Sequence, residues 1–286
     1  SQGGFMESVL SLSQVSCETA PGFEGAFTSM FGPDPLNLLG VVVLTSLGTW
    51  GLPQMVTKFY AIKEGPAIKQ GAIISTVFAL VVSGGCYFLG GFGRLFGDQI
   101  AYAPNGTPIY DSIVPTMLSG LPDILMGIVV VLVLSASMST LASLVLTSSS
   151  SLTLDVVKGN FIKDMSEQRQ VLWIRVLLVV FVVLSAALAL FQYTSTVTFI
   201  AQLMGISWGA LSGAFLGPYF WGLYSKRISK AAVWVSFAFG VGLTTGNMIL
   251  TLLGTPLIAS PINCGAIAMV GSLIIVPVVS LFTKSV

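Results

Sequence analysis

The sequence contains no histidine and very little charge. Only 8% of its 286 residues are Asp, Glu, Lys or Arg, whereas a soluble domain carries about 25%. So few charged residues cannot cover a water-facing surface, and the composition therefore excludes a soluble globular protein. The chain also lacks the usual general base and the most common transition-metal ligand, because both are histidine. A formal net charge of +1 leaves no basic face for nucleic acid, and we expect no nucleic-acid partner.

Cysteine and enzyme motifs are also scarce. Cys17, Cys86 and Cys264 lie far apart without a CxxC pair, which argues against a metal site or a disulfide framework. The H-E-x-x-H, G-x-S-x-G and P-loop patterns are missing as well. The sequence therefore predicts a protein that is not an enzyme and that holds no cofactor.

Long apolar segments account for most of the chain. About 20 apolar residues suffice for a helix to cross a bilayer. We predict an all-α, polytopic membrane protein with a segment outside the membrane at residues 1–35 and a transmembrane helical domain at residues 36–286. Its seven spans are predicted near residues 36–60, 68–92, 124–154, 171–191, 197–224, 231–253 and 264–282.

The basic residues predict the orientation of these spans. With seven spans, every basic residue except Arg94 falls on one side of the membrane. By the positive-inside rule that side is cytoplasmic. The N-terminus is then outside, the C-terminus is cytoplasmic, and the protein is a multi-pass protein of the plasma (inner) membrane. The basic residues of this side are Lys58, Lys63, Lys69, Lys158, Lys163, Arg169, Arg175, Lys226, Arg227, Lys230 and Lys284.

The first predicted span is interrupted near its middle. Gly48, Gly51 and Pro53 fall within six residues, and glycine and proline both weaken a helix. Broken backbone at membrane depth is tolerated where it is buried in protein or lines a cavity. In transporters such breaks bind substrate and ion. A proline kink in a helix packed against its neighbours explains the same residues equally well.

The third predicted span carries a run of hydroxyl groups at residues 135–140. A desolvated Na⁺ is a hard cation that prefers several oxygen ligands, and this run supplies part of such a shell. The spans contain essentially no acidic residue, whereas a proton relay usually requires a carboxylate or histidine inside the membrane. The pattern therefore favours Na⁺ over H⁺ as a coupling ion.

Small and aromatic residues mark the fifth predicted span. Gly205, Gly209, Gly213 and Gly217 recur every four residues, which predicts a face for close helix packing. The aromatic residues that follow, from Tyr219 to Tyr224, predict an interfacial belt.

Several motifs together resemble the sodium:solute symporter family, which includes bacterial proline and pantothenate transporters. Residues 136–141 (ASMSTL) are similar to the A-x-M-S-T-L signature of that family, and residues 51–53 (GLP) with Lys58 resemble its G-x-P segment. Residues 217–218 (GP), Trp221 and residues 225–227 (SKR) fit a later G-P…W-S-R element. The resemblance covers almost the whole chain.

The resemblance implies a leucine-transporter-type fold, of which this chain would be the second inverted repeat with two trailing helices. It implies a Na⁺ site on the Ala136 carbonyl and the Ser139 and Thr140 hydroxyls. It places Gly48, Thr49, Trp50 and Gly51 along the cavity for a small organic solute, such as an amino acid, pantothenate or a carboxylate. The Gly-Leu-Pro form is closer to the pantothenate-type branch.

The implied activity is secondary active transport that couples Na⁺ entry to solute uptake by alternating access. The alternative is a seven-helix receptor, channel or pump subunit without Na⁺ coupling. A retinal pump requires a lysine within its last span, and Lys284 follows the end of that span. Because the chain starts at Ser1 rather than Met, we expect a piece of a longer protein, with no transport by these 286 residues alone.

Overall fold

The computed structural model describes residues 4–17, 20–59, 62, 65–102, 108–194 and 200–283. Every regular element in these ranges is helical, which confirms the all-α prediction. The helices are α1 (Phe5–Gln14), α2 (Pro35–Gly51), α3 (Pro53–Phe59), α4 (Gly65–Gly91), α5 (Ile113–Leu118), α6 (Asp123–Ser151), α7 (Glu167–Thr194), α8 (Ile200–Tyr224), α9 (Lys230–Leu252) and α10 (Pro261–Phe282).

Five stretches of the described chain are long and apolar enough to cross a membrane. They match the second, third, fourth, sixth and seventh predicted spans, which confirms a multi-pass membrane protein. The first predicted span is divided between α2 and α3, and the fifth corresponds to α8, so the count of seven stays a prediction. The five stretches are Gly65–Gln99, Asp123–Phe161, Glu167–Leu190, Lys230–Leu252 and Pro261–Phe282.

Some predicted positions lie outside the described residues. These are residue 60 at the end of the first span, residues 197–199 at the start of the fifth, and the basic residues Lys63 and Lys284.

Polar side chains fix the first turns of three helices. Asp34 accepts from the backbone N–H of Asn37 at 3.0 Å before α2, and Ser229 accepts from Ala232 at 3.1 Å before α9. Ser260 precedes α10 in the same way. The first backbone N–H groups of a helix have no partner within the helix. Each of these side chains accepts a hydrogen bond from one of them and so favours the start of a helix at its own position.

The chain forms two compact units. The first comprises Ser1–Ala101, Ile109–Val114 and Phe199–Val286, and the second comprises Tyr102–Pro108 and Pro115–Thr198. In the first unit α2, α8, α9 and α10 pack together around Leu44, Leu216, Ile262 and Met269.

The glycine face of α8 produces the closest packing in this bundle. A Cβ at Gly209 would lie 2.5 Å from the Cα of Gly265 in α10, and one at Gly213 would lie 2.8 Å from the Cβ of Ala268. Gly205 and Gly217 meet the backbone of α10 in the same way. The packing prediction for this face is therefore confirmed: backbones approach closely because no side chain intervenes.

Two prolines inside the helices leave carbonyl groups that neighbouring helices satisfy. Proline has no N–H, so Pro218 frees the carbonyl of Ala214, and Pro277 frees that of Leu273. The buried Ser236 hydroxyl of α9 donates to the Ala214 carbonyl at 3.2 Å. The Trp221 indole N–H donates to the Leu273 carbonyl at 2.7 Å. These bonds join α8 to α9 and to α10.

The predicted outer segment contains short helices packed through aromatic rings. Phe5 of α1 contacts Phe88 of α4 and Phe92, with ring centroids 5.8 and 6.5 Å apart. Arg94 lies over the Phe27 ring at 4.8 Å, a cation–π contact. The segment is therefore folded against the end of α4.

The second unit is built on α6 and α7. Helix α6 continues as a π-helical segment, Leu152–Phe161, and the combined stretch of 39 residues exceeds what a bilayer core requires. A stretch of this length can tilt in the bilayer or extend past it. Most side chains of α6 and α7 are exposed in this unit, as expected of apolar helices that face lipid or further protein.

Candidate functional site

The predicted break in the first span is present. Helix α2 ends at Gly51, Leu52 is extended (φ −80°, ψ 117°), and α3 begins at Pro53. Proline removes the N–H that would continue the helix and frees the carbonyl of Thr49. Of the alternatives that the sequence leaves open, the structure shows a complete interruption rather than a bent continuous helix.

The two glycines of the break face the bundle. Gly48 and Gly51 are buried. A Cβ at Gly51 would lie 2.7 Å from the Ser212 Cβ of α8, and a Cβ at Gly48 would lie 2.9 Å from the Trp208 ring. The two glycines are therefore needed for close packing against α8, whatever further role they have.

The other two predicted solute residues lie on a more open face. Trp50 is 57% exposed, and Thr49 is partly exposed with its hydroxyl donating to the Ser46 carbonyl at 3.1 Å. The structure thus divides the predicted set of four into a buried pair and an accessible pair.

Ser212 is a residue of this site that sequence reasoning missed. Its fully buried hydroxyl donates to the Gly48 carbonyl at 2.6 Å, from a position 164 residues away in the chain. The bond holds the last turn of α2 at the break. The local sequence around Ser212 carries no signal for it, since the partner is a backbone group of another helix.

We predict that Ser212→Ala destabilises the bundle. The substitution leaves the Gly48 carbonyl buried without its donor, which costs about 1–3 kcal/mol. The midpoint of thermal unfolding in detergent measures the loss. Ser207→Ala is the matched control, because the Ser207 hydroxyl bonds only within α8, to the Met204 carbonyl, and is exposed. Equal midpoints for the two variants would show that the Ser212 bond does not stabilise the break.

The predicted Na⁺ ligands lie on α6, in the other unit. The Thr140 hydroxyl donates to the Ala136 carbonyl at 3.0 Å, so the two oxygens lie side by side one turn apart. They border a shallow depression lined by Ala136, Ser137, Thr140, Leu141 and Leu144. The hydroxyl oxygen keeps lone pairs for a cation after it donates its proton. Two of the three predicted ligands are therefore brought together.

Ser139 lies at one side of this pair. Successive helical residues are rotated by about 100°, so Ser139 precedes Thr140 by that angle on the surface of α6. Its side chain is exposed. A cation held by all three oxygens would have to sit over the edge of the depression. The Na⁺ site at Ala136, Ser139 and Thr140 stays a prediction.

Hydroxyl groups continue along α6 beyond this site. Thr147 donates to the Ser143 carbonyl at 2.8 Å, and Thr153 to the Ser149 carbonyl at 2.7 Å. These bonds repeat the geometry of Thr140, because a helical serine or threonine readily bonds to the carbonyl one turn earlier. The geometry alone therefore does not distinguish a ligand from a satisfied hydroxyl.

Among the described residues, neither feature has a cluster of metal-binding side chains beside it. In the described parts of the chain, no three His, Cys, Asp or Glu residues cluster where they could hold a metal ion. An ion bound at the α6 pair would be held by neutral oxygens. Such a site fits a weakly charged, hard monovalent cation better than a transition metal.

Comparison with known proteins connects these features to a family. The sequence model of the sodium:solute symporter family matches residues 2–240. The sodium/pantothenate symporter of Haemophilus influenzae is 27% identical over 216 residues, which cover 75% of this chain and 42% of that protein. The sodium/proline symporter of Escherichia coli is 26% identical over 226 residues, covering 76% and 41%. The sodium/pantothenate symporter of Escherichia coli is 29% identical over 208 residues, covering 72% and 41%.

The chain spans about two-fifths of the length of the curated relatives it matches. These relatives are transporters rather than enzymes. No solved structure shows a significant match to the chain. Similar identities to proline and pantothenate symporters do not separate the two branches.

Proposed function

This chain belongs to the sodium:solute symporter family, and on that basis we propose that it forms part of a secondary active transporter. The transporter couples Na⁺ entry to the uptake of a small organic solute by alternating access. The observation that carries the proposal is the family match over residues 2–240. The motif at residues 136–141 supports it, because it places the Ala136 and Thr140 oxygens 3.0 Å apart on α6.

The chemistry of the pair supports Na⁺ as the coupling ion. Neutral carbonyl and hydroxyl oxygens suit a hard cation. The most apolar parts of the described spans hold few ionisable residues. A proton-coupled carrier usually needs a carboxylate or histidine at membrane depth. The remaining oxygens of the Na⁺ shell would come from parts of the protein other than α6.

The interruption at Leu52 supports a role in solute binding. Transporters place solutes beside broken helices, where backbone groups are not used by the helix itself. Thr49 and Trp50, on the open side of the break, are the residues we assign to the solute, with Gly48 and Gly51 holding the break against α8. The solute class is an amino acid, pantothenate or a carboxylate, in accordance with the names of the relatives.

Membrane orientation follows from charge and from the bundle itself. Ser260 precedes helix α10, and its hydroxyl bonds to Asn37 near the acidic residue Asp34. Thr283 follows α10 and bonds to Ser229 beside Lys226, Arg227 and Lys230. The basic end is assigned to the cytoplasm by the positive-inside rule, and the protein to the plasma membrane.

Uptake by the full-length gene product in membrane vesicles tests this proposal. Labelled proline and pantothenate are the probes, because the relatives bear those names. We expect an inward Na⁺ gradient to drive accumulation of at least one of them, and a Na⁺ ionophore to abolish it. If both solutes accumulate independently of the Na⁺ gradient, or if neither solute accumulates, the result contradicts Na⁺-coupled transport of these solutes.

A further inference from the structure

The turn between α8 and α9 carries a cluster of positive charge with no acidic residue near it in the sequence. Lys226, Arg227 and Lys230 lie within five residues, and all three are exposed. No residue from 168 to 286 is acidic. The charges of this turn therefore have no counter-charge in the sequence that surrounds them.

The fold also keeps Asp34, an acidic residue of this unit, away from the turn. Helix α10 connects Ser260, near Asp34, with Thr283, near Ser229. Its 22 residues at 1.5 Å per residue separate those ends by about 33 Å. At that distance salt screens the attraction between Asp34 and the basic turn, since the Debye length is about 8 Å at physiological ionic strength.

Hydrogen bonds hold the turn in one conformation. The Ser229 backbone N–H donates to the Ser280 hydroxyl at 3.3 Å, and the Ser229 and Thr283 hydroxyls lie 2.5 Å apart. The Arg227 N–H donates to the Ser225 hydroxyl at 3.2 Å. Ser229 is 1% exposed. The turn is thus fastened to the end of α10, and its basic side chains project from a fixed backbone.

Aromatic residues place the turn at the depth of lipid headgroups. Tyr224, the last residue of α8, is 75% exposed, and its ring packs on Phe220 with centroids 5.0 Å apart. Exposed tyrosine at the end of a membrane helix favours the bilayer interface. The N-terminus of α9, which begins at Lys230, adds the positive end of a helix dipole to the same place.

We propose that this turn, residues 225–230, is a binding surface for the headgroup of an anionic phospholipid. The phosphate of the lipid supplies the missing counter-charge to Lys226, Arg227 and Lys230, and its acyl chains lie along the apolar outer surface of α8 and α9 beside Leu223. The surface is independent of Na⁺ coupling, so its test does not depend on the proposed transport activity.

A second basic connection in the same protein provides an internal comparison. In the connection between α6 and α7 and the first turn of α7, the basic residues Lys158, Lys163 and Arg169 are interspersed with the acidic residues Asp155, Asp164 and Glu167. Those positive charges have acidic neighbours in the sequence. We therefore expect the α6–α7 connection to show no preference for anionic lipid, although it carries the same number of basic residues.

Native mass spectrometry of the purified full-length gene product in detergent tests the proposal. The probes are phosphatidylglycerol, which is anionic, and phosphatidylcholine, which is zwitterionic, at equal concentrations. We expect the chain to retain phosphatidylglycerol in preference. The triple variant K226Q/R227Q/K230Q should lose this preference by about tenfold or more, since each basic residue near an anionic surface contributes substantially to lipid attraction.

Two control variants distinguish the effect of charge at this turn from a folding defect and from a general effect of basic residues. K226R/R227K/K230R keeps the charge and should retain phosphatidylglycerol like the unmodified chain. K158Q/K163Q/R169Q removes three charges from the α6–α7 connection and should change retention by less than about twofold. Glycerol 3-phosphate at millimolar concentration should not displace the lipid.

The proposal is overturned if K226Q/R227Q/K230Q retains phosphatidylglycerol like the unmodified chain, or if the α6–α7 variant loses as much. It is also overturned if phosphatidylcholine is retained equally well. Displacement by glycerol 3-phosphate would instead identify a site for a soluble phosphate compound.

Discussion

Thr140→Ala should weaken the apparent Na⁺ affinity of uptake by roughly 10- to 100-fold, since an interaction with a charged group is worth about 1.5–3 kcal/mol. The substitution removes one oxygen of the pair on α6 and keeps the Ala136 carbonyl. Alanine also favours a helix, so the fold should tolerate the change. The measurement is the Na⁺ concentration for half-maximal solute uptake by the full-length gene product in vesicles.

Thr147→Ala is the matched control for this experiment. Thr147 lies on the same helix, seven residues further on and so almost on the same face, and its hydroxyl makes the same bond to the carbonyl one turn earlier. If Thr140 acts only through such a bond, the two variants will behave alike. An Na⁺ dependence that is unchanged in Thr140→Ala would remove Thr140 from the ion site.

Gly240→Ala should destabilise the bundle strongly. The added Cβ would lie 2.6 Å from the Gly213 carbonyl oxygen and would also meet the backbone of Ala214. Backbone atoms cannot rotate away as a side chain can, so α9 has to move from α8. Overpacking of this kind costs about 1–3 kcal/mol, and displacement of α9 also lengthens the bond from Ser236 to the Ala214 carbonyl. The midpoint of thermal unfolding in detergent should fall accordingly.

The matched control is Gly242→Ala, two residues away on α9. A Cβ at Gly242 would have no neighbour within 4 Å, and alanine is favoured over glycine in a helix by roughly 0.5–1 kcal/mol. Its midpoint should therefore stay the same or rise slightly. If Gly240→Ala and Gly242→Ala unfold at the same temperature, the contact between α8 and α9 is looser than described.

The sequence predicts those features of the fold that depend on local residue type. Proline and glycine locate the break between α2 and α3 because they act on their own backbone. The four-residue glycine repeat predicts the packing face of α8 because one face of a helix recurs at that spacing.

The candidate site could be predicted only in part. The Ala136 and Thr140 oxygens come together because they are one helical turn apart. The bond from Ser212 to Gly48 joins residues 164 positions apart, and no periodic pattern encodes it. Trp221 shows the same limit: its aromatic neighbours suggest an interfacial belt, whereas its indole N–H bonds to the Leu273 carbonyl of α10.

The prolines of α8 and α10 have a consequence for how this family can vary. A carbonyl freed by Pro218 requires the Ser236 hydroxyl, and one freed by Pro277 requires the Trp221 indole. Where a homologue has another residue in place of either proline, the backbone N–H of that residue satisfies the carbonyl. The distant donor is then no longer constrained. We therefore expect two pairs of residues to be conserved or replaced together during evolution: residues 218 and 236, and residues 221 and 277.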